Sequence, residues 1–208
     1  MEEQPNLFDF SRPGFVCGCD EAGRGPLAGP VCAAACILPQ DFDTSVLDDS
    51  KKLSGKRRFE LEPFIRENAI DWSIVFIDQE EIDSINILAA TMKAMAMCYE
   101  EIAIRHPIST FYVDGNRTPA IPSDRDANVV AVVKGDSKIP EIMAASILAK
   151  TARDRFMIEM DALYPQYGFA VHKGYGTRAH IQALEEFGPC PLHRRTFLRR
   201  ILSREEPV

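Results

Sequence analysis

The residues of this 208-residue sequence best suited to chemistry are two adjacent carboxylates, Asp20 and Glu21. They close an apolar run, Phe15-Val16-Cys17-Gly18-Cys19, and a turn with two glycines around one arginine follows, Gly23-Arg24-Gly25. A second apolar run, Val31 to Leu38, comes after it. The pattern reads as strand, polar turn, strand, and a turn held between two core strands is a rigid place to present polar groups. Neighbours on a strand face opposite sides; with the strand ending at this pair, both carboxylates are expected to reach its rim. Glycine opens backbone angles closed to other residues and lets a ligand approach the main chain. Free N–H groups in such a turn bind anions or hydroxyls, and Arg24 adds a planar fork suited to phosphate. The bland reading of the same stretch is a tight hairpin with an exposed ion pair.

Two more acids fit the same chemistry. Thr110-Phe111-Tyr112-Val113-Asp114 reads as a strand ending in a carboxylate. Asp136, in Lys134-Gly135-Asp136-Ser137, stands just before a predicted helix start, where the positive end of the macrodipole favours an ionised carboxylate. If the strands are neighbours, four carboxylates converge and raise one another's pKa. Hard divalent cations neutralise such a cluster, and oxygen ligands without His or Cys select Mg²⁺ or Mn²⁺. Two ions roughly 3.5–4 Å apart would clamp the attacking and leaving oxygens of an in-line phosphoryl displacement. Each Asp taken alone could instead be a strand-end or helix-cap residue. Ser146, Lys150 and Asp154 are spaced at four and share one helix face. Lys150 and Asp154 are expected to pair, either beside the site or as an ordinary surface couple. The loop Asp49-Ser50-Lys51-Lys52 is a further polar candidate. So is Tyr175, whose glycine neighbours would let its ring lie against a sugar and its hydroxyl bond to it, unless it is simply a half-buried loop tyrosine.

The sequence resembles the ribonuclease HII family, the type 2 ribonucleases H. The likeness rests on Asp20-Glu21-Ala22-Gly23-Arg24-Gly25-Pro26-Leu27-Ala28-Gly29-Pro30, then, in order, Asp49-Ser50-Lys51-Lys52-Leu53, Val113-Asp114-Gly115, Lys134-Gly135-Asp136-Ser137, Ala144 to Lys150, Ala152-Arg153-Asp154 and His172-Lys173-Gly174-Tyr175-Gly176-Thr177. The resemblance implies a metal-dependent endonuclease. Such an enzyme cuts the RNA strand of RNA–DNA hybrids and cuts 5′ of single ribonucleotides in duplex DNA, leaving 3′-hydroxyl and 5′-phosphate ends. It implies that Asp20, Glu21, Asp114 and Asp136 bind two ions, Mn²⁺ or Mg²⁺. It implies that Gly23, Arg24, Gly25 and Tyr175 sense the 2′-hydroxyl, which distinguishes RNA from DNA, and that Lys51 approaches the substrate backbone. Ser146, Lys150 and Asp154 are implied to stand near the site. Against the type 3 enzymes, which have an extra N-terminal domain and a different turn, only 19 residues precede Asp20 and the turn is Gly-Arg-Gly. A hybrid-binding module without catalysis is a rival, but it would be expected to lose acids from the cluster. A phosphatase with a two-metal site is another.

The elements that must position these residues follow from pattern. Residues 15–20 and 30–38 are expected to pair as antiparallel strands. Ser54 would cap a helix to about Asn68, with Pro63 kinking it or ending it early. Trp72–Ile77 and Val129–Val133 read as strands, the second buried on both faces. Asn86 would cap a helix with an apolar stripe from Leu88 to Ile102. A long helix from Pro140 to about Leu163 presents Ala144, Ala145 and Ala149 for close packing, and a short one spans Arg178 to Phe187. Phe197, Leu198 and Ile201 would anchor a last basic segment whose Arg194, Arg195, Arg199 and Arg200 face phosphates or solvent. His193 is expected to be structural. The class is α/β, a ribonuclease H-like fold with a mixed central sheet flanked by helices. One domain over 1–208 is expected, with a loose arm over 1–13 and a helical C-terminal segment from about 177.

Composition bounds the rest. The net charge of −7 argues against a non-specific nucleic-acid coater. Seven Lys or Arg against four Glu from His172 onward leave that segment at +3 and the remainder at −10. A basic end on an acidic body suggests a local phosphate-binding surface. No apolar stretch approaches the roughly 20 residues of a membrane span. The polar N-terminus is no secretory signal. The six cysteines then read as reduced thiols of a cytoplasmic monomer, with structural zinc disfavoured.

Overall fold

The computed structural model describes residues 14–47, 54–122 and 127–202. Five strands form one mixed sheet: β1 (Phe15–Ala22), β2 (Val31–Ile37), β3 (Asp71–Ile77), β4 (Ile108–Asp114) and β5 (Asn128–Val132), in the order β3-β2-β1-β4-β5. β1 pairs antiparallel with β2, and β2 with β3, whereas β1–β4 and β4–β5 are parallel. β1 and β2 form the opening hairpin, joined by the short connection that antiparallel neighbours allow, whereas β3 pairs antiparallel with β2 only after the helix over Gly55–Asn68. β2, Val-Cys-Ala-Ala-Ala-Cys-Ile, is buried throughout. Its small side chains allow helices to cover both faces.

The helices are α1 (Gly55–Asn68), α2 (Gln79–Ile85), α3 (Ile87–Ala103), α4 (Pro140–Leu163), α5 (Phe169–His172), α6 (Arg178–Phe187) and α7 (Arg195–Leu202). On one face of the sheet, Met95, Cys98, Tyr99 and Ile102 of α3 pack on Cys17, Cys19, Ala33 and Ile37. On the other, Ala145, Leu148, Ala149 and Ala152 of α4 pack with Leu61 and Ile65 of α1 on Cys32, Ala34 and Cys36. α4 crosses β1 at Gly18, where a Cβ would lie 2.3 Å from the Glu141 carbonyl carbon and the Ile142 nitrogen. That missing methyl brings the start of α4 against the strand that carries Asp20. A third cluster, with Leu27, Met157, Phe169, Leu184 and Leu198, joins α5, α6 and α7 to the turn after β1.

The caps stand where the sequence puts them: Ser54 Oγ accepts from Arg57 N at 3.3 Å, and Asn86 Oδ1 from Leu88 N and Ala89 N at 3.0 and 3.1 Å. Thr177 caps α6. Two expectations are corrected. α1 runs through Pro63 to Asn68; burial of Leu61 and Ile65 on either side holds the turn that proline weakens. β5 is not covered on both faces: it is an edge strand with alternating burial, and Val133 beyond it is 58% exposed. α2 and α5 carry too few residues to show a periodicity. All six cysteines are free and buried, and Cys17 and Cys19 point into the core, as small hydrophobes do.

Candidate active site

The site is set by register. Cys19 pairs with Val113 across the parallel β1–β4 junction, so Asp20 and Asp114 end up side by side. Asp136 joins them from a 3₁₀ turn, Gly135–Ser137, ahead of α4. Carboxylate oxygens of Asp20, Asp114 and Asp136 all lie within 4.8 Å of one another. Asp20 and Asp136 are buried and Asp114 is half-buried. Asp114 Oδ1 accepts from Gly135 N at 2.6 Å and Asp136 N at 3.4 Å, which fixes its rotamer. Lys134 takes a left-handed conformation to make that turn.

Glu21 stands apart from this triad. β1 does not stop at the acid pair but continues through Ala22, so strand alternation sends the two side chains different ways. Glu21 Oε1 meets Arg24 Nη1 at 3.3 Å on the rim. It still feels the cluster: burial raises its pKa, Arg24 pulls it down, and the Asp114 charge pushes it up. Asp20 is pushed up to about 8, first by burial and then by the Glu21 charge, against a hydrogen bond from Ser146 and the charge of Lys150. Lys150 Nζ donates to Ser146 Oγ at 2.6 Å, so the two residues form a relay toward Asp20. The expected Lys150–Asp154 pair is not made. Asp154 Oδ2 takes Arg58 Nη2 of α1 at 3.0 Å instead, because α1 packs across α4 one turn further on.

Beside the acids runs a cleft of about 490 Å³, lined by Glu21, Gly23, Lys150, Asp154 and Tyr175 together with Arg58, Arg153, His172 and Lys173. Tyr175 is 50% exposed. Its ring carbon Cε1 comes within 3.7 Å of where a Gly25 Cβ would be, so the tyrosine and the Gly-Arg-Gly turn share one edge of the cleft. His180 Nδ1 donates to Tyr175 O at 2.9 Å and His193 is buried behind it, its pKa lowered to about 4 chiefly by burial; the expected structural role of His193 holds. Lys51 lies outside the described residues.

Three residues of this site are not evident in sequence. Arg58 and Lys173 add positive charge to the cleft from α1 and from the loop after α5. Arg194 is not turned to phosphate or solvent: it is fully buried and binds the carbonyls of the turn. Arg195 and Arg199 are exposed, as expected. A run of arginines gives no sign of which one points inward. For Arg153 a sign existed, since it continues the Ser146–Lys150 face of α4 by three residues.

The donor set fits a hard cation. Three carboxylates meet without imidazole or thiolate, and the buried Asp20 resists ionisation until positive charge arrives. The ribonuclease H2 of Pyrococcus horikoshii OT3 superposes with a TM-score of 0.68 at 27% identity, over 91% of this chain and 97% of that one. The fold and site therefore define an endonuclease of the ribonuclease H class, acting on RNA–DNA hybrids and dependent on divalent metal. The branch is given by sequence. A family model described as ribonuclease HII matches residues 17–201. The ribonuclease HII of Laribacter hongkongensis is 54% identical over 88% of this chain and 90% of its own length, and that of Neisseria meningitidis serogroup B is 51% identical over 92% and 97%. The chain belongs to the ribonuclease HII family.

Proposed function

We propose that this enzyme, besides acting on hybrids, cuts 5′ of single ribonucleotides in duplex DNA and leaves 3′-hydroxyl and 5′-phosphate ends. The meeting of Asp20, Asp114 and Asp136 within 4.8 Å, with the Gly-Arg-Gly turn and Tyr175 on the adjoining cleft, carries this reading. Asp20, Glu21, Asp114 and Asp136 would hold two ions, Mg²⁺ or Mn²⁺. When bound, such ions supply charge neutralisation and Lewis acidity at a scissile phosphate.

The chain's own residues do the rest. Gly135 N–H orients Asp114. Ser146 and Lys150 favour the ionised form of Asp20. Arg24 holds Glu21 at the rim. The turn at Gly23–Gly25 and the ring of Tyr175 read the ribose, and a single 2′-hydroxyl is enough for a reader of that size. Arg58, Lys150 and Lys173 line the groove for the phosphate backbone, and Lys51 is assigned to the same backbone by the family resemblance alone. The enzyme works as a monomer in the cytoplasm, a setting that six free cysteines support.

The test is cleavage, in Mg²⁺ and then Mn²⁺, of one duplex carrying a single ribonucleotide and another carrying four, with both ends mapped. Cutting 5′ of the lone ribonucleotide is expected. Cutting confined to the four-ribonucleotide tract would replace this reading with one that needs longer RNA.

A further inference from the structure

The Gly-Arg-Gly turn is held from behind by two buried arginines that belong to elements far away in sequence. Arg194, 0% exposed, donates through Nη2 to Gly23 O at 2.6 Å and through Nη1 to Arg24 O and Pro26 O at 3.0 and 2.9 Å. Its Nε donates to Gly29 O at 2.9 Å. Arg153, 2% exposed, donates to Pro30 O, Ala28 O and Lys173 O at 2.9, 3.0 and 3.0 Å. The Arg194 main-chain N–H takes Leu27 O at 2.9 Å. From Gly23 to Pro30, every carbonyl but that of Gly25 is thus drawn toward one of these two residues. Among the described residues neither guanidinium has a carboxylate within salt-bridge distance; main-chain carbonyls take their hydrogen bonds, and the Arg194 guanidinium also lies 5.1 Å from the centre of the Phe197 ring.

The consequence lies on the opposite edge of the chain. In a trans peptide the N–H points away from the carbonyl of the preceding residue. With Gly23 O and Arg24 O turned inward to Arg194, the N–H groups of Arg24 and Gly25 are turned outward. Both residues are exposed, and neither N–H has a partner among the described residues. The same scaffold fixes the tyrosine: Arg153 holds Lys173 O, and Leu27 N donates to Gly174 O at 2.8 Å. A side chain at Gly23 would place its Cβ 2.0 Å from Arg153 Nε, so the glycine gives the guanidinium its place.

We infer that Arg153 and Arg194 are positioning residues that orient the Gly23–Gly25 amides and lock them to Tyr175 as one rigid ribose reader. This rests on the reading of the turn and Tyr175 given above. Lysine is no substitute for either arginine, because a point charge cannot replace a planar fan of five donors aimed at several carbonyls. A lone ribonucleotide offers one 2′-hydroxyl and depends on the reader's alignment, whereas a tract of four offers alternative registers.

The experiment compares kcat/KM in Mg²⁺ for duplexes carrying one and four ribonucleotides, for the native chain, Arg194→Lys, Arg153→Lys and Tyr175→Ala. The one-to-four ratio does not depend on the fraction of enzyme that is folded, so a merely structural role would leave it unmoved. Either lysine variant is expected to lower it at least tenfold, as does Tyr175→Ala. A ratio within twofold of native in the lysine variants, with Tyr175→Ala still lowering it, overturns the positioning role and leaves the reader intact. An unchanged ratio in Tyr175→Ala overturns the reader itself. Failure of both lysine variants to fold at low temperature would make the pair a folding element and also overturn the proposal.

Discussion

Two groups of like charge are buried on either side of the turn after β1, and the fold treats them in opposite ways. Asp20, Asp114 and Asp136 face one another within 4.8 Å, and Asp20, buried beside these acids and Glu21, has its pKa pushed up to about 8. Arg153 and Arg194 are as deeply buried and also repel each other; burial and then the Arg153 charge lower the Arg194 pKa to about 9. Seven carbonyls accept hydrogen bonds from these two guanidiniums. A buried charge ringed by dipoles is a structural charge; converging like charges that raise a neighbour's pKa have the chemistry of ligands for an ion of the opposite sign. The acid group is built for a cation and the arginine group for the backbone.

The comparison breaks first at Asp114. Asp114→Asn is expected to keep the fold and remove cleavage on the order of 10³-fold or more, since a lost cation ligand removes several kcal/mol of transition-state stabilisation. Kinetics beside a circular dichroism melt would check both halves; full activity would contradict the acid group's role. On the arginine side the expected loss is of the opposite kind. Arg194→Met strands four carbonyls around an apolar side chain and should cost about 3 kcal/mol or more of stability by urea unfolding. A loss below about 1 kcal/mol would show that the carbonyl cage contributes little.

The charge of Asp20 gives the pH dependence. Its folded pKa lies above its ordinary value of 3.8, so between about pH 4 and pH 8 the folded state binds more protons than the unfolded one. Stability of the metal-free protein should therefore fall as pH rises through that window, by an order of a few kcal/mol from this group. Asp20→Asn should flatten the slope in melts at pH 5 and pH 8. Added Mg²⁺ should raise the native melting temperature more than that of the variant. Smaller still is the cap of α7. Asp83 of α2 accepts from Arg195 N and Thr196 N at 2.6 and 3.0 Å, and Asp83→Ala should cost about 1 kcal/mol, without changing the ratio of cleavage on one and four ribonucleotides.

The acid group was largely legible in the sequence, and the arginine group was not. Asp20, Asp114 and Asp136 each follow an apolar run or precede a helix, so local pattern placed them at element ends, and neighbouring strands were enough to bring them together. Ser54 and Asn86 were legible as caps because capping is decided within four residues. Arg194 was misread because four arginines within seven residues look alike until the third cluster of apolar side chains closes over one of them. Asp154 was paired with Lys150 by helix spacing alone; its partner Arg58 is 96 residues away. The opposed directions of Asp20 and Glu21 depended on β1 running two residues further than its apolar content suggested.

The metal-binding role of the acid group is tested most directly by anomalous diffraction from crystals grown with Mn²⁺. The expected result is a peak bounded by Asp20, Asp114 and Asp136, at about 2.0–2.2 Å from their oxygens, and none at the carbonyl-bound arginines. Manganese found elsewhere on the protein, with these three carboxylates unligated at saturating metal, would contradict it.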